Sequence, residues 1–145
     1  MRPLNIYLAG RCKDLDDGGK AWRQEAVKIL ETVAEWTNTE VCVVNPTNYF
    51  GYTEKTYKSQ KQIKDYYFDR IRKCDIVLVN LDGTDVSIGT AQEVQYAVDK
   101  EKTVIGFGKA NMYPWIAEVD CQVVFDNLHE AIDYIRDYFL VGGLR

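Results

Sequence analysis

Five short apolar runs alternate along this chain with stretches whose apolar residues recur at helical spacing, and that alternation limits the possible folds more than any other feature. The runs are Leu4 to Ala9, Val41 to Val44, Ile76 to Leu81, Thr103 to Phe107 and Gln122 to Phe125. Short runs of this kind, bounded by turn residues, suit strands buried on both faces of a parallel sheet. The intervening stretches read as helices over Lys20 to Trp36, Lys61 to Lys73, Ile88 to Asp99 and Leu128 to Leu140. Ala26, Val27, Leu30, Val33 and Ala34 form the apolar stripe of the first helix, and Ile63, Tyr67 and Ile71 that of the second. The pattern predicts a single doubly wound α/β domain over residues 1–140, with 141–145 as a flexible tail.

Right-handed crossovers place the loops that follow the strands along one edge of such a sheet, where open α/β sheets bind ligands. The segments Tyr7 to Arg11, Asn45 to Tyr49, Asp82 to Gly89 and Gly108 to Trp115 are therefore expected around one cleft. The length of 145 residues fits one domain able to bury about two-thirds of its unfolded surface. A net charge of -4 argues against a broad nucleic-acid footprint, which needs a clustered basic face, but leaves room for a small anionic ligand. No segment approaches a membrane span and no apolar leader precedes the first strand, so a soluble cytoplasmic protein is expected. Cys12, Cys42, Cys74 and Cys121 are far apart, and only His129 could join them, so they read as buried thiols rather than a metal site.

The segment Asp85 to Glu93 carries the expected chemistry. It leaves a strand end, passes through small residues and enters a helix, an arrangement that offers free backbone N–H groups and a positive dipole end to sugar hydroxyls or phosphate. On spacing alone Glu93 is a helix-forming surface acid. Its neighbours give it a second reading, with Ser87 as a possible N-cap, Gly89 permitting close backbone approach and Asp85 at the strand edge. Tyr7 reads either as a tyrosine packed on the sheet or as a phenol that fixes a carboxylate at the cleft. Asp65 and Asp69 flank the stripe of the second helix, where either a solvated carboxylate or a cleft-facing one fits. Asp75 reads as a turn residue. Gly106-Phe107-Gly108 lacks a third glycine and is weak as a dinucleotide signal, and no Walker lysine motif is present. The aromatic residues of the 47–59 loop fit a nucleobase stack and a self-packed lid equally well.

Taken together, Ile6-Tyr7-Leu8-Ala9-Gly10, Val44-Asn45-Pro46, Cys74-Asp75-Ile76-Val77-Leu78-Val79-Asn80 and Ser87-Ile88-Gly89-Thr90-Ala91-Gln92-Glu93 resemble the nucleoside 2-deoxyribosyltransferase superfamily. The resemblance implies a flavodoxin-like fold, no cofactor, a small-molecule nucleoside or nucleotide as substrate, and a homodimer or larger homo-oligomer with shared sites. By position it implies Glu93 as nucleophile, Tyr7 as its orienter and Asn111 as the asparagine offered by a neighbouring subunit. Gly10, Arg11, Asn45, Asp85, Ser87 and Gly89 are the further substrate-binding candidates. The chain departs from the family at two places. Ser87 stands where an aspartate commonly binds the sugar, and a serine there resembles the nucleotide N-glycosidase branch, in which it helps hold a 5′-phosphate. Tyr67 stands where an aspartate commonly faces the base, leaving Asp69 or Asp65 as the candidate acid. The implied activity is cleavage or exchange of the N-glycosidic bond of a 2′-deoxynucleoside. The alternatives are a nucleoside 5′-monophosphate N-glycosidase and a non-catalytic nucleotide-binding module.

Overall fold

The computed structural model describes residues 2–48 and 59–142. The five expected strands form one parallel sheet: β1 (Leu4–Gly10), β2 (Val41–Val44), β3 (Ile76–Asn80), β4 (Thr103–Phe107) and β5 (Val123–Phe125). Their order across the sheet is β2-β1-β3-β4-β5, the flavodoxin-like order, whose switch point lies between β1 and β3. The helices are α1 (Lys20–Thr37), α2 (Gln60–Arg72), α3 (Ile88–Asp99) and α4 (Leu128–Ile135).

The period of two along β1 divides the core. Leu4, Ile6 and Leu8 join a fully buried cluster with Ala26 and Leu30 of α1 and Ala131, Ile132 and Ile135 of α4. Tyr7 and Ala9 point the other way, into a cluster with Ile71 of α2, Val94 and Ala97 of α3, and Val77 and Val79 of β3. Tyr7 is therefore placed on the α2/α3 face by register alone, paired with Val77 of β3 on one side and Val44 of β2 on the other.

Differences from the sequence expectation sit at element ends. The last helix keeps α geometry only to Ile135 and continues as wider π turns over Arg136–Val141, so Val141 is part of a helical segment. A second π segment, Trp115–Asp120, entered through Pro114, lies between β4 and β5, where the sequence pattern gives no helix. Cys42, read as buried, is exposed because β2 is an edge strand. The aromatic loop lies largely in residues 49–58, outside the described residues, as does the end of the tail. No helix among the described residues is long and apolar enough to cross a membrane.

The glycine of β4, Gly106, serves packing. A Cβ on Gly106 would lie 2.7 Å from Leu81 Cδ1 and 2.8 Å from Cys121 Sγ. Gly106→Ala is expected to destabilise the fold by about 1–3 kcal/mol, read as a lower urea midpoint at unchanged slope.

Candidate functional site

At the C-terminal ends of β1, β2 and β3 the loops enclose a cavity of about 360 Å³, within the usual range for small-ligand sites. The β1 loop contributes Gly10, Arg11, Cys12, Lys13 and Asp14; the β2 loop contributes Pro46 and Thr47. The turn before α3 and its first two turns contribute Val86, Ser87, Ile88, Gly89, Thr90 and Glu93. Tyr67 and Ile63 of α2 close the side, and Arg23 of α1 lines the wall from below the β1 loop.

Glu93 occupies the second turn of α3, half-buried, between the core residues Val94 and Ala97 and the cavity. The phenol of Tyr7, itself fully buried, donates its O–H to Glu93 Oε2. Burial pushes the Glu93 carboxyl up to about 7, against the opposing pull of the Tyr7 hydrogen bond and the positive charge of Arg23. Burial, followed by the adjacent Glu93 charge, raises the Tyr7 phenol well above its ordinary value, so it remains a donor. A carboxyl poised near neutrality, fixed by one buried donor and facing an open cavity, has the equipment of a nucleophile or a base.

The remaining expectations separate by geometry. Gly10, Arg11, Ser87 and Gly89 line the cavity with Glu93. A Cβ on Gly89 would meet nothing within 4 Å, so the first turn of α3 presents bare backbone. Ser87 stands at the N-cap position but makes no capping bond; its Oγ lies 2.7 Å from Oγ1 of buried Thr90. Asn45 is buried behind the wall, where its Oδ1 accepts from Thr47 N at 3.1 Å and Thr47 Oγ1 at 2.6 Å, fixing the Pro46-Thr47 turn. Asp85 and Asn111 lie outside the lining, joined by Asp85 N donating to the Asn111 carbonyl at 3.1 Å. Asp85 instead borders a second hollow with Tyr113, Trp115 and Asp120.

Asp69, expected as a candidate acid, lies outside the cavity lining. It pairs instead with Arg70 at 2.6 Å, Lys73 at 3.2 Å and Arg72. Hydrogen bonds from Arg70 and Lys73 hold its carboxyl down at about 2, which makes it a poor proton donor near neutrality. Asp65 is exposed and is likewise paired, with Lys61. The tyrosine at position 67 instead packs edge-on to Tyr7, ring centroids 6.4 Å apart, and donates to the Pro46 carbonyl at 3.3 Å.

Sequence reasoning missed Arg23. It lines the cavity while being 1% exposed, and a signal was present: it falls on the apolar stripe of α1, three and seven residues before Ala26 and Leu30. A cation on a buried stripe marks a polar demand inside the fold.

A family model described as nucleoside 2-deoxyribosyltransferase matches residues 6–129. No curated protein sequence matches the chain. Similar solved structures include a 2-deoxyribosyltransferase from Leishmania mexicana, with 20% identity, 95% of this chain and 100% of that chain covered, and a TM-score of 0.71. One from Bacillus psychrosaccharolyticus has 18% identity, 90% and 91% coverage, and a TM-score of 0.63. A CMP N-glycosidase from Clostridium botulinum has 20% identity, 92% and 98% coverage, and a TM-score of 0.55. Likeness at these identities speaks for the fold.

Glu93 leaves a signature in stability. Its carboxyl ionises near 7 when folded but near 4.5 when unfolded, so the folded state holds the proton more tightly and stability falls as pH rises across that window. Glu93→Gln removes the ionising group. The variant is expected to be more stable than the parent by on the order of 2 kcal/mol above pH 7 and nearly equal to it below 4.5, measured by urea unfolding at both ends.

Proposed function

Because this chain belongs to the nucleoside 2-deoxyribosyltransferase family, we propose that it cleaves or exchanges the N-glycosidic bond of 2′-deoxynucleosides through a covalent glycosyl-glutamate. The observation that carries this reading is the buried Tyr7 donating to Glu93 at the edge of an open, nucleoside-sized cavity. Glu93 attacks the anomeric carbon through an oxocarbenium-like transition state. The departing base takes the glycosidic electron pair and gains a proton at the solvated mouth, where Asp14 is exposed. Water or a second base then displaces Glu93 from the sugar. Tyr7 holds the attacking oxygen in one rotamer and stabilises the carboxylate as it leaves.

A second observation favours a 5′-monophosphate substrate. Arg11, Lys13 and Ser87 line the same cavity, and α3 opens onto it with neither a side-chain cap nor an acid in its first turn. Two cations, a hydroxyl and a helix N-terminus form a local anion site within an acidic protein. The reading also includes a homo-oligomer in which Asn111 reaches a neighbour's cavity. Exposed Ile88 and Val86 at the mouth, and Trp115, which shares the adjacent hollow with Ile88, support such a contact.

Incubation with deoxyinosine plus adenine, and separately with deoxynucleoside 5′-monophosphates, is expected to release or exchange base. Glu93→Ala should lower the rate by at least about 10³-fold. Peptide mass spectrometry of the quenched parent enzyme should find one pentosyl unit on Glu93; full activity in Glu93→Ala would end this mechanism. Tight ligand binding with no base released would identify a binding module instead.

The phosphate reading has its own test. Arg11→Ala combined with Ser87→Ala is expected to reduce kcat/KM for the monophosphate by about 10²-fold while changing that for the unphosphorylated nucleoside by less than about threefold. Equal losses on both substrates would reject a phosphate contact at these residues.

A further inference from the structure

Arg23 sits where a charge is hard to keep. It closes the first turn of α1, next to the positive end of the helix dipole, and is 1% exposed. Among the described residues no carboxylate lies within ion-pair distance of it. Burial of a cation without a counter-charge is strongly disfavoured unless hydrogen bonds and a nearby anion compensate. The hydrogen bonds are specific. Nε donates to the Leu8 carbonyl at 3.4 Å, Nη2 to the Gly10 carbonyl at 3.0 Å and Nη1 to the Gly19 carbonyl at 2.9 Å. Gly10 ends β1 and Gly19 precedes α1, so one guanidinium bridges both ends of the loop carrying Arg11, Cys12, Lys13 and Asp14 into the cavity wall. The fit is close: Gly19 has a φ of 80°, and a Cβ there would lie 2.5 Å from Arg23 Nη1.

We propose that Arg23 is a positioning residue for the glycosidic site: its guanidinium closes the loop that walls the cavity and supplies the positive potential in which the Glu93 carboxylate sits. This rests on the reading of Glu93 as nucleophile. The groups facing Glu93 are Tyr7 from β1, Arg11, Cys12, Lys13 and Asp14 from the β1 loop, Tyr67 from α2 and Arg23 from α1. Of the cations, Arg23 is the buried one, and its charge acts on both Glu93 and Tyr7 in favour of their ionised forms. The planar fork is essential to the loop closure. A lysine ammonium carries the same charge but cannot span two carbonyls in the same geometry.

The test uses the full chain as Arg23→Met and Arg23→Lys. The Glu93 carboxyl is titrated by carbon-13 NMR without substrate, its resonance assigned with Glu93→Gln. Arg23→Met is expected to move the Glu93 midpoint up by roughly one pH unit, with the acid limb of kcat/KM moving alongside it. Arg23→Lys is expected to keep the parent midpoint but raise KM about tenfold with kcat within about threefold, because the wall loosens while the charge stays. An unmoved midpoint in a folded Arg23→Met overturns the electrostatic role. A parental KM in Arg23→Lys overturns the loop role, and where Arg23→Met does not fold, Arg23→Gln, which also removes the charge, carries the same midpoint test. Since the midpoint is read without turnover, a protein with no glycosidic activity would overturn the proposed function while the NMR result still decides the role of Arg23 toward Glu93.

Discussion

The hydrogen bond from Tyr7 to Glu93 joins the centre of the sheet to the helix that follows β3, and the site's other features are arranged around making it tolerable. A half-buried carboxylate at the border of the core needs a donor that itself cannot be lost to solvent. Tyr7 meets that need because β1 is flanked by β2 and β3, and the alternation along β1 sends its ring toward α3 rather than α1. The same burial leaves Glu93 poised near 7 instead of fully ionised. Nearby, Arg23 supplies a positive charge without forming an ion pair, so it biases the carboxylate without tying it down.

The sheet was legible because each strand is short, apolar on both faces and separated from the next by a helix-period segment. Element ends were less so, since the π turns after Ile135 and after Pro114 depend on packing against the core rather than on local propensity. The cavity-lining segment at Ser87 to Glu93 could be found from the strand-turn-helix order, and the pairing of Tyr7 with a carboxylate was one of two open readings of that residue. Asp69 lies away from the cavity lining for a physical reason. Its helix position allows it to face either way, and three neighbouring cations on the same helix end and cap hold it outside. Ser87 stands at the N-cap position without the expected capping bond, its hydroxyl pairing with that of Thr90 instead.

Long-range polar arrangement was the least visible layer. Nothing in the spacing of Asn45 and Thr47 says that one side chain would shape the turn carrying the other, and nothing near Arg23 announces three carbonyls as its partners. Such bonds exist only after the sheet has brought distant chain ends together. The cysteines illustrate the same point: Cys42 of the edge strand β2 is exposed, whereas Cys74, in the connection that leads into β3, is buried in the cluster on the α2/α3 face.

The loops after β3 and β4 are cross-linked rather than merely adjacent. Asp82 Oδ1 accepts from Lys109 N at 2.7 Å and Ala110 N at 3.0 Å, Thr84 Oγ1 accepts from Tyr113 N at 2.9 Å, and Gly83 N donates to the Ala110 carbonyl at 3.2 Å. They can therefore move only as one body. With the β1 loop pinned at both ends by one guanidinium, two of the three sides of the mouth act as a rigid frame. The wall at Ser87 to Glu93 thus takes its position from bonds to the loop after β4 made by residues that do not themselves reach the cavity.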